Sequence, residues 1–160
     1  MVKEKRKYAL VTGASRGIGK ATSVELAGMG YDIIINYNSN LKEAEDTLAL
    51  VREQGQEGVL LKFDVSDHQS VEDVLEKWID KNDDCVIEVL VNNAGIRKDQ
   101  LLLWMNRDEW DSVLGIGLNG FYNVTRLVLK GMLVQRRGRI VNVVSLSGIK
   151  GMPGQTNYSA

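Results

Sequence analysis

Tyr8-Ala9-Leu10-Val11-Thr12-Gly13-Ala14-Ser15-Arg16-Gly17-Ile18-Gly19 is the stretch on which the fold turns. A compact apolar run enters a glycine cluster, and from Gly17 to Met29 small, apolar and polar residues alternate at helical spacing. That order reads strand, turn, helix. The GxxxGxG spacing places residues without a Cβ where the chain turns tightly, where backbone must approach a ligand, and where helix packs closely on strand. The opening turn of the helix then presents unpaired N–H groups and a partial positive charge, a setting for the phosphates of a dinucleotide. For the glycines alone, a structural turn without ligand is the plain alternative.

Working outward, the same unit recurs. Tyr31 to Tyr37 holds the β-branched run Ile33-Ile34-Ile35, as expected of a parallel strand covered on both faces. Leu41, Ala44, Leu48 and Val51 then recur at steps of three and four, marking an amphipathic helix that ends near Gly55. Val59 to Phe63 reads as a third strand, followed by a helical stripe of Val71, Val74, Leu75, Trp78 and Ile79. Val86 to Val91 is a fourth strand. A long helix from about Arg107 to Arg136 follows, with an irregularity expected at Gly115-Ile116-Gly117, and Arg139 to Ser145 supplies a fifth strand. Strands alternating with helices of this length form right-handed crossovers around a parallel sheet. The fold class is α/β, a doubly wound parallel sheet. No repeat, low-complexity tract or linker divides the chain, and the lone Pro153 falls in a late loop. Residues 1-160 therefore read as one dinucleotide-binding domain.

Composition narrows the partners. Lys+Arg 20 against Asp+Glu 21 leaves no basic excess for nucleic-acid phosphates, so no nucleic-acid role is expected. The single Cys85 excludes an intramolecular disulfide and a cysteine-rich metal site, and suits a reducing, cytoplasmic home. The basic start Lys3-Glu4-Lys5-Arg6-Lys7 precedes an apolar run too short for an export signal. No run approaches the ~18 residues that cross a bilayer, so no membrane role is expected.

Four later features extend the glycine motif. Phe63-Asp64-Val65 ends the third strand, Asn92-Asn93-Ala94-Gly95 the fourth and Val143-Val144-Ser145 the fifth, and Tyr158 stands thirteen residues beyond that serine. With these, the chain from about Lys7 to Ala160 resembles the short-chain dehydrogenase/reductase family, of the 3-oxoacyl-carrier-protein reductase type. The resemblance implies a Rossmann-type sheet and a nicotinamide cofactor held by Gly13, Ser15, Arg16, Gly17, Ile18 and Gly19. It implies that Asp64 hydrogen-bonds the adenine, that Val65 flanks it, and that Asn92, Ala94 and Gly95 lie along the ribose and nicotinamide. Residue by residue, a strand-end Asp or Asn also serves as an ordinary turn or cap.

Charge argues which nicotinamide cofactor. An NAD site places a carboxylate about 20 residues past the glycines, to hold the ribose 2′-hydroxyl. Here the stretch is Asn36-Tyr37-Asn38-Ser39. With no carboxylate to repel a 2′-phosphate, and with Arg16 able to pair with one, NADP(H) is expected and Asn36 joins the cofactor set.

Reducing a ketone needs a hydride, which the cofactor supplies, and a proton from the protein. By resemblance Tyr158 is that acid and Ser145 hydrogen-bonds the substrate carbonyl; no metal is implied. The family has a lysine four residues beyond the tyrosine, whose charge eases ionisation of the phenol. The sequence ends at Ala160, before that position. A phenol roughly three units from operating pH faces about 4 kcal/mol, nearly a thousandfold, if nothing corrects it. The 160-residue chain is accordingly expected to be nearly inactive. In the family's sheet the fifth strand is interior, so Ile140 to Val144 should need cover and a neighbour on each edge. The expected reading is a sheet truncated after that strand, in a natural protein that continues.

One further departure concerns the long helix. The family's catalytic asparagine aligns with Gly117, and Asn119, two residues on and about 200° around the helix, should face elsewhere. His68 reads as a surface residue at a helix start and Cys85 as a small buried hydrophobe before a strand. Trp104, Met105 and Trp110 read as core or subunit contacts. Arg136-Arg137-Gly138-Arg139 reads as a helix C-terminal cap and dipole complement, or as a docking site for an acidic acyl carrier protein.

The leading expectation is an NADPH-dependent reductase of β-ketoacyl thioesters in fatty-acid synthesis, on acyl carrier protein or acyl-CoA. The alternatives are reduction of another carbonyl compound such as acetoacetyl-CoA, a sugar or a steroid, and a cofactor-binding protein with little catalysis. A homo-oligomer, dimer or homotetramer, is implied by the resemblance alone.

Overall fold

The computed structural model describes residues 5–160, so Lys3 and Glu4 of the basic opening run lie outside the described residues. Its first half alternates β1 (Arg6–Val11), α1 (Gly17–Gly28), β2 (Asp32–Tyr37), α2 (Leu41–Glu53) and β3 (Gly58–Lys62). Then come α3 (His68–Val71), a π turn (Glu72–Glu76), α4 (Lys77–Lys81) and β4 (Cys85–Asn92). The long helix is built as α5 (Arg107–Leu114), a second π turn (Gly115–Asn119) and α6 (Gly120–Gln135). β5 (Arg139–Asn142) and two short helices, α7 (Ser147–Lys150) and α8 (Thr156–Ser159), complete the described chain.

The strands form one parallel sheet in the order β3-β2-β1-β4-β5. The order in which strands are added to the sheet reverses between β1 and β4, which opens a crevice at their carboxyl ends. Successive side chains of a strand point to opposite faces, and both faces are covered. Leu10, Ile34, Leu61 and Leu90 pack with Val71, Leu75, Val124 and Val128 on one side. Ala9, Val11, Ile33, Ile35 and Val91 pack with Ala27, Ala44 and Val51 on the other. This is why the isoleucine run has no polar alternation: Ile33, Ile34 and Ile35 are all fully buried.

Several local readings are refined. The irregularity expected at Gly115-Ile116-Gly117 is the second π turn, whereas the turn at Glu72–Glu76 carries no glycine or proline to announce it. β4 is not a plain strand, because Tyr8 pairs with Ile87 and Ala9 with Val89, leaving Glu88 as the extra residue of a bulge. The Glu88 carboxylate is buried, with Arg137 Nε 3.5 Å from its Oε2. The C-terminal cap of α6 is Arg136 itself, held left-handed at φ 52°, with its N–H directed to the carbonyls of Met132 and Leu133. Gly138 has a different reason: a Cβ there would collide with the Met132 side chain.

His68 does begin a helix, exposed, with Nε2 3.1 Å from Glu72 Oε1. Cys85 is the first residue of β4 rather than its forerunner and is only half-buried. Trp104 is 65% exposed, so it is no part of the core. β5 is shorter than the expected Arg139 to Ser145, and has β4 as its one neighbour and four exposed residues.

Candidate functional site

The glycine loop is held from four sides by side chains that sequence reading passed over or assigned otherwise. Asn36, 2% exposed, accepts the Gly13 N–H at 3.1 Å and donates from Nδ2 to the carbonyls of Phe63 (3.0 Å) and Leu61 (3.4 Å). Its amide is therefore spent inside the protein, beneath the loop. The Thr47 hydroxyl on α2 faces the carbonyls of Ala14 (3.2 Å) and Ser15 (3.1 Å). Asn93 donates to the carbonyls of Thr12 (2.9 Å) and Gly13 (3.1 Å), while the buried Thr12 hydroxyl accepts the N–H groups of Asn93 and Ala94, both at 3.0 Å. The carboxyl ends of β1 and β4 are thereby tied together.

Two glycines have separate physical reasons. A Cβ at Gly19 would stand 2.5 Å from the Gly13 carbonyl oxygen and 2.6 Å from Asn93 Nδ2. Gly17 lies at φ +57° with open space where its Cβ would be. The loop so held suits a dinucleotide diphosphate. α1 runs for 12 residues, its first turn holds no acidic residue, and Arg16 at its N-cap is exposed. The early N–H groups of a helix lack intrahelical acceptors, and the helix dipole favours an anion there.

Beside the loop, Asp64 is committed to its own turn. Its Oδ1 accepts from the N–H (2.8 Å) and hydroxyl (2.6 Å) of Ser66, and its Oδ2 from Asn38 at 3.3 Å. Val65 is fixed from behind, since the buried Asn123 donates to its carbonyl at 2.9 Å. A Cβ at Gly120 would meet Val65 Cγ2 at 2.7 Å, so α6 packs directly onto this residue.

At the crevice, a cleft of about 590 Å³ brings together Ile18, Val65, Asn92, Ala94, Gly95, Ser145 and Tyr158. Gly13, Ser15, Arg16, Gly17, Gly19, Asn36 and Asp64 do not line this cleft; they form or brace the loop and strand ends next to it. Gly117 lines the cleft and Asn119 does not, as the angular argument on the helix requires. A Cβ at Gly117 would meet nothing within 4 Å.

Ser145 and Tyr158 are each anchored by a neighbour. Ser145 Oγ accepts the Ser147 N–H and donates to Ser147 Oγ, both at 3.1 Å. Asn157, 1% exposed, donates to the carbonyls of Lys98 (3.1 Å) and Glu109 (2.9 Å) and accepts the Tyr158 N–H at 2.8 Å. The start of α8 is thus pinned to the loop after β4 and to α5. Asn157 was not anticipated, because its partners lie 48 and 59 residues away. Among the described residues, no group of three or more His, Cys, Asp or Glu is gathered for a metal, and no helix is long and apolar enough to cross a membrane.

A parallel sheet with a glycine loop, asparagines at the end of β4 and a serine and a tyrosine at one crevice is an α/β architecture whose crevice suits a dinucleotide. Residues 7–160 match the family described as short chain dehydrogenase, and the chain belongs to that family. It is 43% identical over 152 residues to a 3-oxoacyl-[acyl-carrier-protein] reductase of Synechocystis, covering 95% of this chain and 61% of that protein. It is 40% identical over 154 residues to the 3-oxoacyl-[acyl-carrier-protein] reductase FabG of Staphylococcus epidermidis, covering 96% and 62% respectively. Among solved structures, a protein assigned as a short-chain alcohol dehydrogenase of Sinorhizobium meliloti 1021 superposes with a TM-score of 0.88 at 30% identity, covering 97% of this chain and 60% of that one. The chain thus spans about three fifths of the length of these relatives.

Proposed function

We propose that the protein is an NADPH-dependent reductase of β-ketoacyl thioesters, converting a 3-oxoacyl-carrier protein to its 3-hydroxyacyl form in cytoplasmic fatty-acid synthesis. The observation that carries this reading is the convergence of Ser145 and Tyr158 on the cleft that Ile18, Ala94 and Gly95 also line. The amides of the glycine loop and the opening of α1, from Ser15 to Gly19, would take the diphosphate, and Arg16 would take the 2′-phosphate. Asp64 and Val65 hold the adenine, and the Asn92-to-Gly95 turn lies along the ribose and nicotinamide. Asn36 acts at one remove, keeping Gly13 in place. When bound, the cofactor supplies a hydride to the carbonyl carbon. Ser145 hydrogen-bonds the carbonyl oxygen and Tyr158 delivers its proton.

The substrate class rests on the names of the relatives from Synechocystis and Staphylococcus epidermidis. Arg136, Arg137 and Arg139 supply positive charge for an acidic carrier protein, and the exposed Leu129, Leu133 and Val134 of α6 suit a contact between subunits of a homo-oligomer. A second reading, a nucleotide-binding protein with little catalysis, is favoured by one observation: Gly117 brings no side chain to the cleft at the π turn.

Titrating the chain with NADPH and NADH, followed by nicotinamide fluorescence, tests the first step. NADPH should bind the more tightly, and Arg16→Ala should weaken NADPH about tenfold while sparing NADH, the worth of one charge-assisted contact. Failure of either nucleotide to bind, or a preference for NADH, overturns the proposal. In the complete protein, NADPH oxidation by an acetoacetyl thioester that is lost in Tyr158→Phe separates the reductase from the binding protein.

A further inference from the structure

Behind Ser145 runs a chain of side chains that ends on a carboxylate. Ser145 Oγ donates to Ser147 Oγ at 3.1 Å, Ser147 Oγ donates to Gln155 Oε1 at 2.9 Å, and Gln155 Nε2 donates to Asp99 Oδ2 at 3.0 Å. The direction of every link follows from the last. An ionised carboxylate only accepts, so Gln155 must turn its NH₂ to Asp99 and its carbonyl oxygen to Ser147. That oxygen can only accept, so the Ser147 proton is committed to Gln155. Ser147 Oγ is then left as an acceptor, and the Ser145 proton settles on it. The Ser147 N–H meanwhile donates to Ser145 Oγ at 3.1 Å. Ser147 is 8% exposed, so water has little access to its hydroxyl, whereas the Gln155–Asp99 link at the far end is exposed to solvent. Asp99 is itself steadied by Arg97, whose Nη2 lies 3.4 Å from the same oxygen and whose residue lines the cleft.

We infer that Ser147, Gln155 and Asp99 are positioning residues that hold the Ser145 hydroxyl proton away from the cleft, so that the resting Ser145 faces the cleft as a hydrogen-bond acceptor. This rests on the reading of the cleft as a carbonyl-reducing site. A ketone oxygen, which only accepts, must draw the Ser145 proton off Ser147 to be recognised. An alcohol, which has a proton to give, fits the resting direction as it stands. The wiring therefore favours the hydroxyacyl compound over the ketoacyl compound in binding, by about the worth of one neutral hydrogen bond, or roughly three- to tenfold.

Two variants free the proton by different routes. Ser147→Ala removes its resting acceptor. Gln155→Met removes the acceptor for the Ser147 hydroxyl, which then donates to Ser145 and turns the Ser145 proton toward the cleft. Dissociation constants of acetoacetyl-pantetheine and 3-hydroxybutyryl-pantetheine, measured by calorimetry with NADP present on the complete protein carrying Tyr158→Phe to suppress turnover, should move in opposite directions in both variants. The ketone should tighten and the alcohol weaken, each about threefold, which is the lower end of one neutral hydrogen bond. General loosening of the site would weaken both compounds, and that outcome, or no change in their ratio, overturns the inference. The wiring is also read without substrate. In the ¹⁵N-labelled chain, the Gln155 side-chain amide protons should be displaced from the free-glutamine position and should return to it in Asp99→Ala. A free-like signal in the parent chain overturns the wiring, whereas absence of NADPH binding overturns the reductase reading and leaves the amide result standing.

Discussion

Gly17 and Gly19 share one loop and are glycine for different reasons, which makes their alanine variants an informative pair. At Gly19 a Cβ would press on the Gly13 carbonyl oxygen at 2.5 Å and on Asn93 at 2.6 Å, so backbone or the β1–β4 tie must yield. Overpacking of this kind costs ~1–3 kcal/mol. At Gly17 space is open, and only the left-handed φ of +57° is unfavourable, at roughly 1 kcal/mol. Urea unfolding should therefore show the larger loss in Gly19→Ala, together with weakened NADPH binding; equal losses would mean that the loop is not clamped as described. Arg136 presents the converse case, a side chain at φ 52° where glycine would be unstrained. Arg136→Gly should raise stability by about 1 kcal/mol, seen as a higher urea midpoint with an unchanged slope, and a destabilised variant would show that its guanidinium matters more to the fold than its backbone angle.

Among the elements, the strands differ in how well they are protected. β1 pairs on both sides, with β2 and β4, and its residues Ala9, Leu10 and Val11 are fully buried. β5 pairs with β4 alone over four residues, and all four are exposed. Local opening is governed by this kind of difference in burial and pairing. Native-state hydrogen exchange should thus find β1 amides exchanging only through global unfolding and β5 amides through a much smaller opening. Equal protection of the two strands would refute that picture. The expectation of a fifth strand needing a partner on each edge rests on the sheet order that the family resemblance implies together with the strand's apolar residues; here Val141 and Val144 are exposed. The bulge at Glu88 belongs to this scale too: it turns a carboxylate toward the α6–β5 connection, where Arg137 meets it.

At the scale of the whole molecule, the buried Tyr8 and the half-buried Cys85 predict a loss of stability at alkaline pH. Burial pushes the Tyr8 phenol up from its ordinary value, and burial followed by the hydrogen bond to Asp84 does the same for the Cys85 thiol. A group whose folded value is raised ionises first in the unfolded chain. Its contribution is complete below the unfolded value and is lost as pH rises beyond it. Stability should then be level to about pH 8 and fall through the window that opens near 8.5 for the thiol and 10 for the phenol. Urea midpoints across that range should decline in the parent chain. Cys85→Ala should remove the lower part of the decline and Tyr8→Phe the upper, and a parent curve without slope would refute the assignment.

How much of this was legible beforehand follows from the range of the forces involved. The alternation of strands and helices, the covered sheet and the glycine turn arise from side-chain periodicity and backbone freedom, which act over a few residues and can be read from Tyr8 to Gly19 or from Ile33 to Val51 directly. The candidate site was legible in part: of the residues the motifs named, Asn92, Ser145 and Tyr158 line the cleft, whereas Asp64 stands beside it. What surrounds them was not. Asn93 reaches across 81 residues to Thr12, Asn157 across 59 to Lys98, and Gln155 across 56 to Asp99. Asn36, expected at the cofactor, lies beneath the loop with its amide hydrogen-bonded inside the protein. Sequence by itself determined which segments become elements and which residues stand at their ends. Only the tertiary structure decided which buried amide or hydroxyl meets which partner, because a hydrogen bond depends on atoms within about 3 Å of each other and spacing along a chain does not specify that distance.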